Sequence, residues 1–282
     1  MDEERNLFYY NIELTDKEFN LLSSFIYNEY GIKMPPIKKV MLQSRLQKRL
    51  KVLGMRSFKE YCDYVFSAEG SNEVIHMMDV VSTNKTDFFR EPIHFDFLRE
   101  TILPELVANG QRSVKIWSAG SSSGEEAYTI AITISEFAET KNPIDFQIIG
   151  TDISTQVLKT AIEGIYKEDK IANLPLSIKK KYFLRSKDPE KKLVRIVPQL
   201  RQKVKFGRLN LMDDIYPINE TFDIVFCRNT LIYFDRPTQE KVINKLCQHL
   251  RPNGYFFLGH SESITNMAVP LMHLKPTIFK RK

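Results

Sequence analysis

The chain has few of the residues that build covalent or metal-held frameworks. Its 282 residues include three cysteines, Cys62, Cys227 and Cys247, and five histidines. The cysteines are too few and too scattered for a disulfide framework or a zinc site, and the histidines lack the spacing of metal ligands. We therefore expect no metal and a reducing, cytoplasmic compartment.

Long apolar runs are also missing. None approaches the ~20 residues that cross a bilayer, so we expect no membrane insertion. The start, MDEERNLFYY, is acidic and lacks the positive and apolar segments of a signal peptide. With 43% hydrophobic and 27% charged residues, the composition is that of a globular protein, which excludes disordered and low-complexity classes. The length suits one large domain or two smaller ones.

The net charge of +6 is concentrated in two basic segments. Residues 33–59 contain nine Lys/Arg and no acid, and residues 165–208 contain fourteen basic and four acidic residues. A field of one sign attracts partners of the opposite sign. Nucleic acid, an anionic membrane and an acidic protein surface all remain open as partners, as does a merely solvated basic face.

The first 78 residues predict a small helical domain. Thr15 and Glu18 have capping-box spacing at the start of a first helix, and Gly31 suits its end. A second helix begins after Pro35-Pro36 and presents an apolar face of Val40, Leu42, Leu46, Leu50 and Leu53. Because Arg45, Lys48 and Arg49 lie largely off that face, this helix is expected to show positive charge on its other side.

From Val114 onward, strand-like runs alternate with helical patterns. The runs are VKIWSAG, FQIIGTDIS, VKFGRLNL, FDIVFCRN and YFFLGHSES, and HLKPTIFKRK is a candidate closing edge strand. Such alternation predicts an α/β domain whose mainly parallel sheet is covered on both faces. The basic stretch 165–205 breaks the rhythm and is interpreted as an inserted β subdomain. We therefore expect a helical domain over 1–78 and an α/β domain over 79–282.

Ligands of open α/β sheets bind outside the carboxyl ends of the strands. The first strand ends in a small-residue loop, 118–124, followed by Glu125 and Glu126. The loop lacks the G-x-G-x-x-G spacing of a dinucleotide site, and carboxylates would repel phosphates. A cationic or neutral ligand is therefore favoured over NAD, although two acids at a helix start also complement the helix dipole.

Polar residues end the other strands too. Asp152 ends the second strand and suits the hydroxyls of a ribose, although alone it equally suits a helix cap. Asn210 and Leu211 follow the third strand, and Arg228-Asn229 the fourth. Together these features describe a phosphate-free nucleoside with a positive centre, and S-adenosylmethionine is such a ligand.

At this point the motifs resemble a known family, the chemotaxis receptor methyltransferases, bacterial enzymes that methylate glutamates on chemoreceptors. The matching stretches are STNKTDFFRE (82–91), KIWSAGSSSGEEAYTIAI (115–132), TDIS (151–154), FDIVFCRNTLIYF (222–234), GYFFLGHSES (254–263) and, in the helical part, SRLQKRLKVLGMRSFKEY (44–61). They follow the family's order and cover nearly the whole chain. Ala127 departs from the proline that the family often has there, and RSKDPEKK replaces the glycines that some members carry in the insert.

The resemblance implies a class I methyltransferase domain of Rossmann-like fold with a small antiparallel insert, joined to a small all-helical N-terminal domain. It implies S-adenosylmethionine as cofactor, S-adenosylhomocysteine as product, chemoreceptor cytoplasmic domains as partners, and a monomer. The residues that it marks as cofactor-binding are Asn84, Thr86, Arg90, Glu126, Asp152, Asn210, Leu211, Arg228 and Asn229. It marks Arg45, Lys48 and Arg49 as the surface that meets the receptor.

Two residues are candidates for direct roles in methyl transfer. Glutamate is ionised at neutral pH, with a pKa of about 4.3, so the reaction needs alignment rather than a general base. We expect Arg90 to hold the substrate carboxylate by paired hydrogen bonds. Tyr233 is expected to donate to the other carboxyl oxygen or to wall the methyl group.

Two other functions compete with the glutamate methyltransferase. The basic segments also suit an RNA methyltransferase, but the basic helix at 38–56 has no aromatic residue for base stacking, so no nucleic acid is expected. The third is a catalytically silent module that binds the cofactor and the receptor as an adaptor. Intact Arg90, Glu126 and Asp152 argue against it.

Overall fold

A computed structural model describes residues 9–140 and 143–282. Residues 1–8, which include most of the acidic start of the chain and the beginning of the expected helical domain, lie outside the described residues. Within the described ranges, no helix combines the length and the apolar character that crossing a bilayer requires.

The N-terminal part is helical, as predicted. Its helices are α1 (Asp16–Tyr30), α2 (Lys39–Leu53), α3 (Phe58–Val65) and α4 (Ser71–Val81). The capping box of Thr15 and Glu18 is confirmed, and Gly31 ends α1 in the left-handed conformation that glycine adopts without strain. Helix α4 continues past residue 78, the boundary expected from the sequence.

One residue of the apolar face predicted for α2 is misplaced. Leu42, Leu46 and Leu50 are buried in the core of the helical domain, but Val40 is 76% exposed. Val40 precedes Leu42 by two residues, which is about 200° around the helix, so it lies on the face opposite to the buried leucines. The prediction that Val40 belongs to the apolar face is therefore wrong.

A short helical connector, which the sequence analysis did not predict, joins the two parts. It consists of α5 (Ile93–Phe97), a π-helical turn (Leu98–Ile102) and α6 (Leu103–Ala108). Its buried residues, Phe95, Leu98 and Leu103 among them, belong to the same core as the sheet that follows. The connector is thus packed into the α/β domain.

The strands follow in chain order. They are β1 (Ser113–Ala119), β2 (Asp145–Asp152), β3 (Ile165–Lys167), β4 (Phe183–Arg185), β5 (Leu193–Ile196), β6 (Val204–Arg208), β7 (Phe222–Cys227), β8 (Leu250–Leu258), β9 (Leu271–Lys275) and β10 (Ile278–Arg281). In the described part of the chain, seven of them form one sheet in the order β6-β2-β1-β7-β8-β10-β9. The first five strands in this order pair in parallel and the last two are antiparallel, so the mainly parallel sheet is confirmed. The segment predicted as one closing edge strand, HLKPTIFKRK, belongs to a hairpin of two antiparallel strands, β9 and β10.

Helices cover both faces of this sheet: α7 (Glu125–Ala138), α8 (Thr155–Glu163), α10 (Pro198–Arg201) and α11 (Arg236–Gln248). Helix α9 (Leu176–Tyr182) packs instead on β4. Strands β3, β5 and β4 form a separate three-stranded antiparallel sheet, which confirms the small β insert. The parallel crossovers place the carboxyl ends of β1, β2, β6 and β7 along one edge, where ligands of such sheets bind.

The helical domain is fixed to the α/β domain at two places. The Asp79 carboxylate accepts hydrogen bonds from the hydroxyls of Ser154 and Thr155, at 2.8 Å each, and from the backbone N–H of Gln156, at 3.2 Å. These donors lie at the start of α8, whose free N–H groups favour a negative charge. At the other place, a Cβ on Gly31 would lie 2.7 Å from both Met212 and Phe234, so the end of α1 packs tightly on the α/β domain.

We predict that Asp79→Ala lowers the free energy of unfolding by about 1–3 kcal/mol, because three donors at the start of α8 lose their acceptor. The measurement is the midpoint of urea unfolding. Asp63→Ala is the control, since the Asp63–Lys59 pair is exposed and its loss is expected to cost less than about 1 kcal/mol. Equal midpoints for the two variants would contradict the role of Asp79 in joining the domains.

Candidate functional site

A cavity of about 290 Å³ lies at the carboxyl ends of the parallel strands. Its size is near the lower end for a small-molecule site. The ten catalytic and cofactor-binding candidates from the sequence all line it: Asn84, Thr86, Arg90, Glu126, Asp152, Asn210, Leu211, Arg228, Asn229 and Tyr233. The fold thus brings together residues that are up to 149 positions apart in the chain. The three predicted receptor-binding residues do not line the cavity.

Asp152 is held at the end of β2 by backbone groups. One carboxylate oxygen accepts a hydrogen bond from the Ser122 N–H at 2.9 Å, and the other accepts one from the Ser154 N–H at 3.0 Å. Burial raises the pKa of Asp152, while these backbone donors act in the opposite direction. Each oxygen keeps acceptor capacity, so the carboxylate can receive a pair of hydroxyl groups from a ligand.

The loop after β1 approaches the end of β7 so closely that it requires glycine. Gly120 has a φ of +81°, and a Cβ there would lie 2.2 Å from the Thr230 hydroxyl oxygen. The N–H groups of Gly120 and Ser121 both donate to the Thr151 carbonyl, which fixes the turn above β2. A small residue is therefore needed to shape the cavity floor.

A buried guanidinium organises the floor of the cavity. The Arg228 side chain is 1% exposed and donates to the Glu126 carboxylate at 3.3 Å, to the Glu91 carboxylate at 3.0 Å and to the Arg90 carbonyl. It also lies over the Phe95 ring, with its central carbon 5.1 Å from the ring centroid. A buried cation requires such partners, and here they come from α7 and from the segment before α5.

Glu126 itself faces the cavity. Its carboxylate also accepts a hydrogen bond from the Ser118 hydroxyl at 2.7 Å. Burial raises the pKa of Glu126, and the Arg228 charge opposes that shift. The neighbouring Glu125 does not line the cavity, because its side chain is buried toward Ser123 and Lys170. Only one carboxylate of the Glu pair is therefore available to a ligand.

Two acidic residues that the sequence analysis did not assign hold the end of β7. Glu91 accepts hydrogen bonds from the Arg228 and Asn229 side chains, and these outweigh burial, so its pKa is lowered. Glu262 accepts from the N–H groups of Gly259, Asn229 and Leu231 at 2.7–2.9 Å. Glu91 lies in the stretch STNKTDFFRE and Glu262 in the stretch GYFFLGHSES. Neither stretch indicates a hydrogen-bond partner so distant in the chain.

The two candidates for direct roles in catalysis lie at the rim. The Arg90 guanidinium donates to the Lys85 carbonyl at 3.1 Å, and the Tyr233 hydroxyl donates to the Thr83 carbonyl at 3.3 Å. Burial raises the pKa of Tyr233, against the nearby positive charges of Arg90 and Arg45. Both side chains are half-buried and line the cavity, so they contact its solvent-facing part.

The helical domain contributes a wall that the sequence analysis missed. The residues from this domain that line the cavity include Tyr30, Ile32, Met34, Lys38 and Met41. They come from the end of α1 through the start of α2. The Lys33 N–H donates to the Tyr233 carbonyl at 3.1 Å, and the Asn210 amide donates to the Glu29 carbonyl at 2.8 Å. The cavity is therefore built between the two domains.

The three predicted receptor-binding residues on α2 have different surroundings. Lys48 is exposed. Arg45 donates to the carbonyls of Val81 and Ser82 next to the rim. Arg49 forms a paired contact with the Glu73 carboxylate, at 2.8 and 2.6 Å, and Glu73 is 3% exposed. Arg45 and Arg49 thus have partners inside the protein, whereas Lys48 presents its charge to solvent.

The site residues fit a phosphate-free adenosine compound with a positive centre. The Arg228 charge is matched by two carboxylates, Glu91 and Glu126, which leaves one net negative charge on the floor. Asp152 adds a third carboxylate, whose hydrogen-bond donors in the described residues are backbone N–H groups rather than a cation. A floor of this charge disfavours a pyrophosphate and favours a cation.

Comparisons with known proteins agree with this chemistry. Residues 17–82 match the family model "CheR methyltransferase, all-alpha domain", and residues 84–279 match "CheR methyltransferase, SAM binding domain". The chain is 42% identical to the chemotaxis protein methyltransferase of Borreliella burgdorferi, with all of both chains covered. It is 35% identical to that of Escherichia coli K12, over 91% of this chain and 87% of the other. The chain therefore belongs to the CheR methyltransferase family, whose cofactor is S-adenosylmethionine.

Proposed function

We propose that this protein transfers the methyl group of S-adenosylmethionine to glutamate side chains in the cytoplasmic domains of chemoreceptors, giving glutamate methyl esters. The observation that carries the proposal is the cavity between the two domains, with carboxylates on its floor and Arg90 and Tyr233 at its rim. The named relatives are chemotaxis protein methyltransferases, which supports a role in chemotaxis and a cytoplasmic location.

The floor residues are proposed to hold the cofactor. Asp152 accepts hydrogen bonds from the two ribose hydroxyls, and Glu126 pairs with the amino group of the methionine end. Leu211 provides an apolar wall for the adenine beside Asn210. Asn84, Thr86, Arg228 and Asn229 complete the lining. The ammonium group offsets the burial cost of the Glu126 carboxylate, because it brings a positive charge next to it.

When bound, S-adenosylmethionine supplies an electrophilic methyl group on a sulfonium sulfur. Held by the floor residues, this methyl group would be available to a glutamate oxygen, and the electron pair of the broken sulfur–carbon bond would leave with S-adenosylhomocysteine. Glutamate is already ionised at neutral pH, so the protein has no proton to remove. Its own residues orient the carboxylate and limit access of water, and orientation alone can lower a barrier by roughly 7–11 kcal/mol.

Arg90 and Tyr233 are proposed to orient the substrate carboxylate. The Arg90 guanidinium has one of its N–H groups committed to the Lys85 carbonyl, and its remaining donors are available for a carboxylate. The Tyr233 hydroxyl donates to the Thr83 carbonyl over 3.3 Å, a long contact that a better acceptor can replace. Both groups therefore combine a place at the rim with unused donor capacity.

The first prediction from the proposed function concerns Asp152. We expect Asp152→Ala to weaken binding of S-adenosylhomocysteine at least about tenfold, because hydrogen bonds to a charged group contribute about 1.5–3 kcal/mol. Calorimetric titration measures the affinity, and circular dichroism checks that the fold is kept. Asp214→Ala is the matched control, since Asp214 is exposed and lies outside the cavity lining. Unchanged affinity in Asp152→Ala would exclude the ribose role.

The second prediction tests the reaction. With cofactor labelled in its methyl group, we expect base-labile label on receptor cytoplasmic fragments, because methyl esters hydrolyse readily in base. Tyr233→Phe is expected to lower turnover roughly three- to tenfold, the worth of one hydrogen bond, while affinity for S-adenosylhomocysteine changes less than about twofold. Arg90→Lys is expected to lower both turnover and affinity.

The same assay separates the competing functions. Label on RNA would replace the proposal with an RNA methyltransferase, and cofactor binding without transfer to either acceptor would replace it with a silent adaptor. Unchanged turnover in both Tyr233→Phe and Arg90→Lys would leave the reaction standing but remove these residues from it.

The third prediction concerns the receptor-binding surface on α2. We expect Arg49→Ala to lower the free energy of unfolding by about 3 kcal/mol, because the buried Glu73 carboxylate loses its cationic partner and keeps only the hydrogen bond from the Tyr61 hydroxyl. Lys48→Ala is the matched control for stability, since Lys48 is exposed, and it is expected to raise the KM for the receptor fragment without changing the unfolding midpoint. A stable Arg49→Ala protein with a raised KM would instead assign Arg49 to receptor binding.

A further inference from the structure

A cluster of two histidines and a glutamate lies behind the cavity floor. Glu91, His94 and His260 each present one ligand atom, and these three atoms lie within 4.8 Å of one another. Glu91 and His94 flank the start of α5, and His260 follows β8, so the fold brings together residues about 170 positions apart. Such a set of two imidazoles and one carboxylate suits a divalent transition metal.

The hydrogen bonds of His94 determine which of its nitrogens is free. Its Nε2 lies 2.8 Å from the Thr277 hydroxyl oxygen, and that hydroxyl donates its own proton to the Pro276 carbonyl at 2.7 Å. The threonine oxygen therefore accepts, and His94 Nε2 carries the hydrogen. In this tautomer His94 Nδ1 holds a lone pair.

That lone pair points at other acceptors. The His94 side chain is fully buried, and among the described residues its Nδ1 has no hydrogen-bond partner. A carboxylate oxygen of Glu91, which also accepts a hydrogen bond from Arg228, lies 3.6 Å from this nitrogen. His260 Nε2 lies 3.9 Å from the same oxygen. A cation placed between these atoms would be held by the Glu91 carboxylate, by the lone pair of His94 Nδ1 and by His260 in the tautomer whose Nε2 is unprotonated.

We propose that Glu91, His94 and His260 form a binding site for a divalent transition-metal ion of the Zn²⁺ class. The exposed side of His260 leaves a fourth coordination position open to water.

The dimensions of the cluster match this assignment. Bonds of 2.0–2.2 Å in a tetrahedral zinc site place ligand atoms about 3.3–3.6 Å apart. The Glu91 oxygen lies 3.6 Å from His94 Nδ1 and 3.9 Å from His260 Nε2, and all three ligand atoms lie within 4.8 Å of one another. The His260 side chain, which is 54% exposed, has room to move inward and complete the site. Thr277 holds the remote nitrogen of His94, which is the arrangement that orients metal-binding histidines.

The carboxylate of the cluster is oriented as well. One Glu91 oxygen accepts hydrogen bonds from the Asn229 side-chain amide and from the backbone N–H of His260. The other oxygen, which faces the two imidazoles, accepts a hydrogen bond from Arg228 at 3.0 Å. The Arg228 charge weakens metal affinity, so we expect weaker binding than at a closed structural zinc site. Because Glu91 also positions Arg228 and Asn229, a bound metal would stiffen the cavity floor without contacting the cofactor.

The test is a calorimetric titration of the full chain with Zn²⁺, without a polyhistidine tag and without cofactor. We expect one ion per chain, and at least about tenfold weaker binding in His260→Ala, which keeps the backbone N–H to Glu91. His273→Ala is the matched control, since His273 is an exposed histidine outside the cluster. The cysteines are buried and do not compete. Absorption by bound Co²⁺ reports the coordination geometry.

Two outcomes would overturn the proposal. One is the absence of Zn²⁺ binding at 1:1 stoichiometry in the wild-type protein, which would show that Glu91, His94 and His260 do not form a metal site. The other is equal affinity in His260→Ala and the wild type. Neither result bears on the methyltransferase proposal, because the S-adenosylhomocysteine titrations of the wild type and of Asp152→Ala are carried out without added metal.

Discussion

The buried Arg228 guanidinium is the constraint on which the site depends. Its side chain is 1% exposed, so its charge must be balanced inside the protein. The balancing groups are Glu126 on α7 and Glu91 before α5, together with the Arg90 carbonyl. Moving any of these elements away would leave a charge buried and unpaired. The segment that carries Arg90 is therefore held against the strand ends by electrostatics as well as by the apolar core.

The helical domain completes the cavity that the sheet begins. The strand ends provide a floor, but one wall comes from the stretch between α1 and α2, with Tyr30 and Met34 among its residues. That wall is fixed by the contact of Gly31 with Met212 and Phe234 and, on the other side of the domain, by Asp79 at the start of α8. Changes in how the two domains meet would thus change the site directly.

Local sequence patterns predicted much of the fold and of the cavity lining. The β-prone runs from Val114 onward became parallel strands, and because parallel strands end at one edge, their terminal residues had to meet there. This logic placed Asp152 and Asn229 in one cavity. It did not reach Glu91 and Glu262, whose roles come from partners far away in the chain. Nor did it find the wall from the helical domain, which depends on domain packing.

Charge patterns were less informative than strand ends. The expectation that Arg49 lies off the apolar face of α2 is wrong, because Arg49 follows Leu42 by seven residues, about two turns, and so lies on nearly the same face as Leu42. Periodicity gives a direction but not a partner, and Glu73 on α4 meets the guanidinium there. The proposed metal site could not be predicted from the sequence for the same reason, because no regular spacing in the chain relates His94 to His260. Tertiary packing determines which groups meet a charged or metal-binding side chain. A strand, in contrast, can be recognised from the apolar pattern of neighbouring residues in the sequence.

Charge is divided within the cavity in a way that suits the proposed reaction. The floor carries the carboxylates of Glu126 and Asp152, whereas the exposed part of the lining carries Arg90, Lys85 and Lys38, and the acid Asp87 there is paired with Lys170. A cation is stabilised on the floor and an anion at the rim, so the two reactants are sorted by electrostatics before they meet. A nucleotide phosphate would meet charge of its own sign on the floor, and a cationic substrate would be repelled at the rim. The same division is what the proposed reaction of a carboxylate nucleophile with a sulfonium methyl donor requires, and that reaction needs no general base.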